Sequence, residues 1–205
     1  MTPLVGNKWR WWTVALLCLW LLIGLAREAK ADGLLGNIES IEGSFTQEII
    51  NASGTLTAQS SGVFALLRPH FFKWQITSPG KQLLVSDGEF FWQHDEDLAT
   101  VVRRPLQGQL NSPLGILLAD EEALRGHYTV TREPTYLQLV PLKPNAMFTS
   151  MKVTIDQGVP TAVIVTDNLD QRINFSLSPA KSSELTAADF VFMPPTEADI
   201  TIVKP

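Results

Sequence analysis

The chain has 205 residues, 45% of them hydrophobic, and a formal net charge of −5 from 16 basic and 21 acidic side chains. An acidic chain argues against nucleic-acid binding, because neutralising phosphates requires clustered lysine and arginine. The single cysteine, Cys18, lies in an N-terminal apolar run. The rest of the chain is therefore predicted to fold without disulfides, around a core large enough to stabilise itself.

Residues 1–31 have the three parts of a secretory signal. Lys8 and Arg10 supply the basic region, residues 11–26 carry no charge, and Ala29-Lys30-Ala31 is a cleavage site. The apolar run is shorter than the roughly 20 residues of a spanning helix, so a cleaved signal is favoured over an uncleaved anchor. Cys18 lacks the preceding small residue of a bacterial lipobox. Residues 32–205 are then predicted to be one domain in a bacterial periplasm.

Hydrophobic spacing predicts a short N-terminal helix followed by strands. Leu34, Leu35, Ile38 and Ile41 recur at helical spacing over residues 33–42, and from Gly43 the period becomes two. Turn residues recur at 51–54, 78–80 and 87–88, where Asp-Gly favours a tight hairpin, and Ser60-Ser61-Gly62 predicts a bulge or a bend. The predicted strands run from 43 to the first turn and then over 56–66, 71–76, 82–86, 89–95, 98–103, 128–133, 136–140, 147–155, 161–167 and 171–177.

One segment interrupts the strands. Residues 105–109 are predicted to form a loop. Ser112-Pro113 then begins a short helix that ends near Asp120 and is apolar on nearly every side. Glu121-Glu122 is predicted to be a solvated loop end and not an acid/base pair.

Ten or eleven strands with short connections and two short helices predict a mainly β fold, an unclosed antiparallel β-barrel or one strongly curved sheet. Large aromatics occupy adjacent positions in 71–74 and 89–92, so both faces of the sheet are apolar there. They could be ordinary core with helix packing on the second face. Alternatively, since two short helices cover little surface, one face could enclose an apolar ligand.

No pattern of an enzyme is present in the sequence. The three histidines, His70, His94 and His127, lack metal-binding spacing, and neither a G-x-S-x-G elbow nor a phosphate-binding glycine loop occurs. Residues 94–97 are interpreted as a polar turn in preference to a weak cation site. We therefore predict no catalytic residues, no metal and no cofactor.

The segment 68–74 combines a turn with an aromatic strand. Pro69 fixes its own φ and biases Arg68 toward extended geometry. A lone arginine at such a turn is usually a solvated charge, but here it adjoins a sheet with an apolar excess.

Several segments together resemble the periplasmic outer-membrane lipoprotein carrier family, LolA, in order and over nearly all of residues 32–205. These segments are 43–47, 61–64, Arg68-Pro69-x-x-Phe72-x-Trp74, 78–79, 82–88 with Trp92, Asn111-Ser112-Pro113 with Leu117-Leu118, and Asp189-Phe190-x-Phe192-x-Pro194-Pro195. The resemblance implies an unclosed antiparallel β-barrel whose apolar cavity is covered by a lid of short helices.

The resemblance also implies a function and partners. Such a carrier, acting as a monomer in the periplasm of a Gram-negative bacterium, accepts acylated lipoproteins from the inner-membrane transporter LolCDE. It transfers them to the outer-membrane receptor LolB, which shares the fold but is anchored through a lipobox cysteine that this chain lacks. The alternatives are a carrier of another lipid or glycolipid, and a sensor domain that binds such ligands.

The resemblance further implies roles for individual residues. Arg68 would latch the lid, because its guanidinium has five donors that can bond several carbonyls. Phe72 and Trp74 would either line the cavity or form a partner-docking surface at its rim, with Phe71 pointing the other way. The lid-helix contacts would be Leu114, Ile116, Leu117 and Leu118. Candidates to line an acyl-chain cavity are Phe64, Leu84, Phe90, Trp92, Phe148, Met151 and Phe175, although alternation leaves open which face is inside.

Overall fold

A computed structural model describes residues 38–106, 113–119, 121–143, 147–179 and 184–203. All of them belong to the unit Ala31–Pro205. The predicted signal at 1–31 lies outside the described residues. Among the described residues, no helix is both long enough and apolar enough to cross a membrane.

The described residues form one sheet of twelve strands in the order β12-β6-β5-β4-β3-β2-β1-β11-β10-β9-β8-β7. The mainly β, unclosed architecture predicted from the sequence is confirmed. One pairing departs from the antiparallel pattern, because β12 runs parallel to β6. The strands are β1 Ser40–Ile50, β2 Leu56–Leu67, β3 Phe71–Ser78, β4 Gln82–Asp87, β5 Phe90–Asp95, β6 Thr100–Pro105, β7 Tyr128–Glu133, β8 Tyr136–Pro141, β9 Ser150–Asp156, β10 Val159–Thr166, β11 Arg172–Pro179 and β12 Asp199–Ile202.

Within the described residues, three short helices accompany the sheet: α1 Pro113–Leu118, α2 Glu121–Arg125 and a 3₁₀ helix Ala187–Phe190. The prediction that Glu121 lies in a solvated loop end is wrong. Its side chain is only 13% exposed and forms ion pairs with Arg125 and with Arg132, the latter at 2.7 Å. The ion pair with Arg132 ties α2 to β7.

The predicted N-terminal helix is wrong over residues 40–42, which begin β1, while residues 33–37 lie outside the described ranges. Ile41 pairs with Leu66 of β2 and is buried. Its side chain belongs to the same alternation as Phe45, four residues later. The three-residue interval between Ile38 and Ile41 is compatible with helical spacing. Pairing with β2 nevertheless makes residues 40–42 the start of β1.

The sequence predicts a bulge or a bend in β2, and the structure has an irregularity at that position. The register between β2 and β3 shifts between Ser61 and Gly62. A Cβ at Gly62 would collide with the Gln75 carbonyl and would lie 2.9 Å from Cε1 of Phe45. Glycine is therefore required here because the Phe45 ring and a neighbouring backbone approach closely.

Side chains on the two faces of the sheet form two apolar clusters. The face covered by α1 and α2, called here the inner face, carries the inner cluster, which includes Phe72 and Trp74. Neighbouring Phe71 points to the outer face and packs against Phe190 of the 3₁₀ helix, with ring centroids 5.7 Å apart. The opposite directions predicted for Phe71 and Phe72 are thus present in the structure.

The hairpin between β4 and β5 is organised by Asp87. Its Oδ1 accepts hydrogen bonds from the backbone N–H groups of Glu89 (2.9 Å) and Phe90 (2.7 Å), and its Oδ2 accepts one from Trp92 Nε1 at 2.7 Å. Gly88 has the positive φ, 94°, that the Asp-Gly turn predicts. Burial raises the pKa of Asp87, but the hydrogen bonds from Phe90, Trp92 and Glu89 outweigh it and hold the pKa below the ordinary 3.8.

This depressed pKa predicts a pH-dependent contribution to stability. The carboxylate of Asp87 is favoured in the folded state, so its contribution is complete above the unfolded-state pKa and is lost as the pH falls through the lower folded-state pKa. We expect Asp87→Asn to lower the free energy of unfolding at pH 7, and the gap to the unaltered protein to shrink below about pH 4. Urea unfolding at several pH values measures the gap. Asp156→Asn, at an exposed position, is the control, and a gap independent of pH would contradict the expectation.

Candidate apolar binding site

An aromatic floor lies at the centre of the inner face, formed by Phe45, Phe64, Trp74 and Phe175. Phe45 stacks on Trp74 with ring centroids 3.8 Å apart, Phe64 lies 5.9 Å from the same ring, and Phe175 meets it edge-on at 5.4 Å. Pairing of Phe64 with Trp74 across β2 and β3 places these rings side by side. Four neighbouring strands thus build one continuous apolar surface.

The inner face continues across β11 to β7. The rings of Tyr128 and Phe148 stack nearly parallel, with centroids 5.8 Å apart. Burial raises the pKa of the Tyr128 hydroxyl above its ordinary 10.0, so the ring stays neutral at physiological pH. The aliphatic and thioether side chains that these strands contribute to the inner cluster in buried positions are Leu137, Leu139, Met151, Val153, Val163, Val165 and Leu177.

The two α-helices cover this surface. Ile116, Leu117 and Leu118 are 0%, 3% and 6% exposed, and Leu124 of α2 is fully buried. All four belong to the inner cluster, which explains why α1 is apolar on nearly every side. Leu114 belongs to α1, but its side chain lies outside the described residues.

Arg68 joins the end of β2 to the end of α1. Its Nη2 donates to the carbonyl oxygen of Ala119 at 3.4 Å, and its backbone N–H donates to the carbonyl of Glu39 at 2.9 Å. Ala119 follows the last residue of α1, where helix carbonyls lack intrahelical donors. The arginine is therefore bonded to the residue that directly follows α1 and is not a purely solvated charge.

The structure decides between the two alternatives for Phe72 and Trp74. Phe72 is 1% exposed and packs against Phe91, with centroids 5.7 Å apart, and Trp74 is 5% exposed. An exposed docking surface made of these two side chains is therefore wrong, and they lie within the inner cluster.

Phe90 and Trp92 are a second correction, because neither lies in the inner cluster. Trp92 packs against Phe192 of the C-terminal segment at 5.5 Å, and the guanidinium of Arg103 lies 4.5 Å from the Phe90 ring centroid. Both rings face outward, and Phe91 between them faces inward. The other cavity candidates, Phe64, Leu84, Phe148, Met151 and Phe175, all lie on or against the inner cluster.

In the part of the chain that the structure describes, no three His, Cys, Asp or Glu side chains are grouped as metal ligands would be. The site therefore consists of apolar surface, a helical cover and one arginine that joins them. Such a site can keep an apolar group away from water if that group replaces the helices in their contacts with the inner face.

An unclosed antiparallel sheet with an apolar, helix-covered inner face defines the class of open-barrel proteins. The family model of outer membrane lipoprotein carrier protein LolA matches residues 36–193, and the chain belongs to that family. The resemblance predicted from the sequence is thereby confirmed.

Relatives span nearly the whole chain. The outer-membrane lipoprotein carrier protein of Bordetella avium is 30% identical over 195 residues, which cover 91% of this chain and 93% of that protein. The protein of the same name from Neisseria meningitidis serogroup C is 28% identical over 196 residues, covering 91% and 94%. The crystal structure of the LolA superfamily protein NE2245 from Nitrosomonas europaea is similar at 14% identity and a TM-score of 0.49, covering 80% of this chain and 94% of that one.

Proposed function

We propose that the protein is a periplasmic lipoprotein carrier and not an enzyme. It accepts acylated lipoproteins from the inner-membrane transporter LolCDE and transfers them to the outer-membrane receptor LolB. Residues 1–31 act as the export signal and are removed. The observation that carries the proposal is the aromatic floor covered by the buried Ile116, Leu117 and Leu118 of α1, and the names of the relatives support lipoproteins as the cargo.

The physical problem of a lipid carrier is release. Burial of one methylene contributes about 0.8 kcal/mol, so one acyl chain of roughly 15 methylenes approaches about 12 kcal/mol. Non-covalent binding saturates near roughly −18 to −21 kcal/mol. A cavity that buried several chains without opposition could hardly release them.

A lid that packs against the same surface competes with the cargo for it. Cargo must displace the side chains of α1 from the inner face, so the net affinity is the difference between cargo burial and lid burial. Arg68 acts as the latch of the closed lid, through its bond to the Ala119 carbonyl. The closed form thereby lowers net affinity and favours transfer to the receptor.

A direct test uses spheroplasts that retain newly made, labelled lipoproteins in the inner membrane. The protein purified from the periplasm is expected to release labelled lipoprotein into the supernatant, and an unrelated acidic periplasmic protein serves as the control. Absence of release would refute carriage of lipoproteins. Mass spectrometry of copurifying molecules addresses the alternative, because a glycolipid or another lipid without any lipoprotein would favour a different cargo.

A further inference from the structure

A pocket of about 220 Å³ opens beside the aromatic floor. Its described lining comes from the ends of β1 to β4 and from the turns beyond them. Residues with apolar side chains or no side chain alternate with amide, hydroxyl and carboxylate groups. The lining residues are Gln47, Ile49, Ala58, Gln59, Ser60, Ile76, Pro79, Gly80, Gln82 and Asp97.

Strand register places the pocket on the inner face, at the end of the sheet opposite Arg68. Gln47 pairs with Ser60 across β1 and β2, one step along the inner face from the pair of Phe45 and Gly62. Arg68 follows Leu67, which pairs with Ser40 at the other end of the same two strands. The pocket therefore extends the aromatic floor at the end remote from the Arg68 contact with the lid.

On the inner face of the pocket, the polar side chains of Gln47 and Ser60 are available to a ligand. Gln47 and Ser60 are half-buried, and neither side chain hydrogen-bonds to another described residue. By contrast, the Gln82 amide donates to Asp95 at 2.8 Å, and Asp97 accepts from the backbone N–H of Lys81 at 3.1 Å. The amide N–H groups of Gln47 and the hydroxyl of Ser60 are thus donors beside an apolar surface.

We propose that this pocket binds the neutral, ester-bearing glyceryl junction of a diacylated ligand. The assignment rests on the proposed function and specifies the part of the cargo that it recognises. Ester carbonyls are acceptors that match the donors of Gln47 and Ser60. From this junction the acyl chains pass over the aromatic floor into the space that α1 occupies when the lid is closed.

The size and charge of the pocket restrict the class of ligand further. The pocket is smaller than the roughly 300–1,000 Å³ of sites that enclose a whole small molecule. It can therefore hold the glyceryl junction but not an entire lipid molecule. Its described lining includes the carboxylate of Asp97 and no cationic side chain. A phosphate group would be repelled there, which favours a diacylglyceryl group over a phospholipid.

The test compares three probes on protein purified from the periplasm. Dioctanoylglycerol carries the ester junction, dioctanoylphosphatidylglycerol adds a phosphate, and 1-N-phenylnaphthylamine is apolar without esters. Gln47→Leu is expected to weaken dioctanoylglycerol binding about three- to tenfold, the effect of one lost hydrogen bond, and to leave the ester-free probe unchanged. The unaltered protein should bind the phosphate-bearing probe more weakly than dioctanoylglycerol. Gln138→Leu, at an exposed position of β8, should change none of these affinities.

Several results would overturn the assignment. The unaltered protein could show no detectable binding of dioctanoylglycerol, or could bind the phosphate-bearing probe as tightly as dioctanoylglycerol. Gln47→Leu could keep the full affinity for dioctanoylglycerol, or could lose as much affinity for the ester-free probe as for dioctanoylglycerol. The spheroplast assay is independent of these outcomes. Failure there with a selective Gln47 effect refutes lipoprotein carriage alone, and lipoprotein release without that effect refutes the junction pocket alone.

Discussion

Replacing Arg68 with leucine is expected to yield a carrier that still accepts lipoprotein but transfers it to the receptor about ten- to a hundredfold more slowly. Arg68 donates to the Ala119 carbonyl at the end of α1, and a hydrogen bond from a charged donor contributes about 1.5–3 kcal/mol. Loss of that bond weakens the closed lid. Cargo then meets less competition and dissociates more slowly by a corresponding factor.

A reconstituted assay measures this effect, with loaded carrier on one side and membrane-anchored receptor on the other. Arg104→Leu is the matched control, because Arg104 is exposed and its Nη2 donates to the Gln93 side chain at 3.4 Å and not to the lid. Arg68→Lys should be intermediate, since an ammonium retains the charge but not the planar fork of donors. Normal transfer by Arg68→Leu, or loss of cargo uptake, would refute the role of a latch.

Much of the sheet was predictable because its signals are local. The Asp87-Gly88 turn carries its own geometric requirement, which the positive φ of Gly88 meets. A bulge or bend near Gly62 is expected from the effect of glycine in a strand, and the register shift occurs there. Turn chemistry and alternation therefore defined the hairpins before any tertiary contact was known.

The assignment of faces was not predictable from the same patterns. Alternation shows that Phe91 and Trp92 point in opposite directions, but not which of them meets α1 and which meets Phe192. Both faces of β3 to β5 are apolar, because the C-terminal segment covers the outer face as the helices cover the inner one. That coverage depends on residues about a hundred positions away, so the sequence alone leaves open the side to which Phe90 and Trp92 point.

Contacts between residues that are far apart in the sequence also could not be predicted from local patterns. Arg68 and Ala119 are 51 residues apart, and only the family resemblance suggested that this arginine meets the lid. Glu121 and Arg132 are 11 residues apart, and no periodicity marks them as partners. In both places a charged side chain looked solvated in the sequence, whereas the fold brings it to a specific acceptor or ion pair.

A second large effect is expected at Gly62, where the aromatic floor depends on the absence of a side chain. In Gly62→Ala the added Cβ would collide with the Gln75 carbonyl of β3 and press on Phe45. Backbone atoms cannot rotate away as side chains do, so the β2–β3 pairing must shift. We expect the free energy of unfolding to fall by about 3 kcal/mol or more, at or above the upper end of overpacked cores.

Gly126→Ala is the matched control, because its added Cβ would meet only the Ala123 carbonyl at an ordinary 3.6 Å. We expect it to change the free energy of unfolding by no more than about 0.5 kcal/mol. Urea unfolding followed by tryptophan fluorescence measures both variants, and hydrogen exchange locates the loss. Protection should fall first in β2 and β3, since those strands meet at the collision. Equal stabilities of the two variants would mean that β2 accommodates the added methyl group without loss of stability. The close packing of Phe45 on Trp74 would then not depend on Gly62.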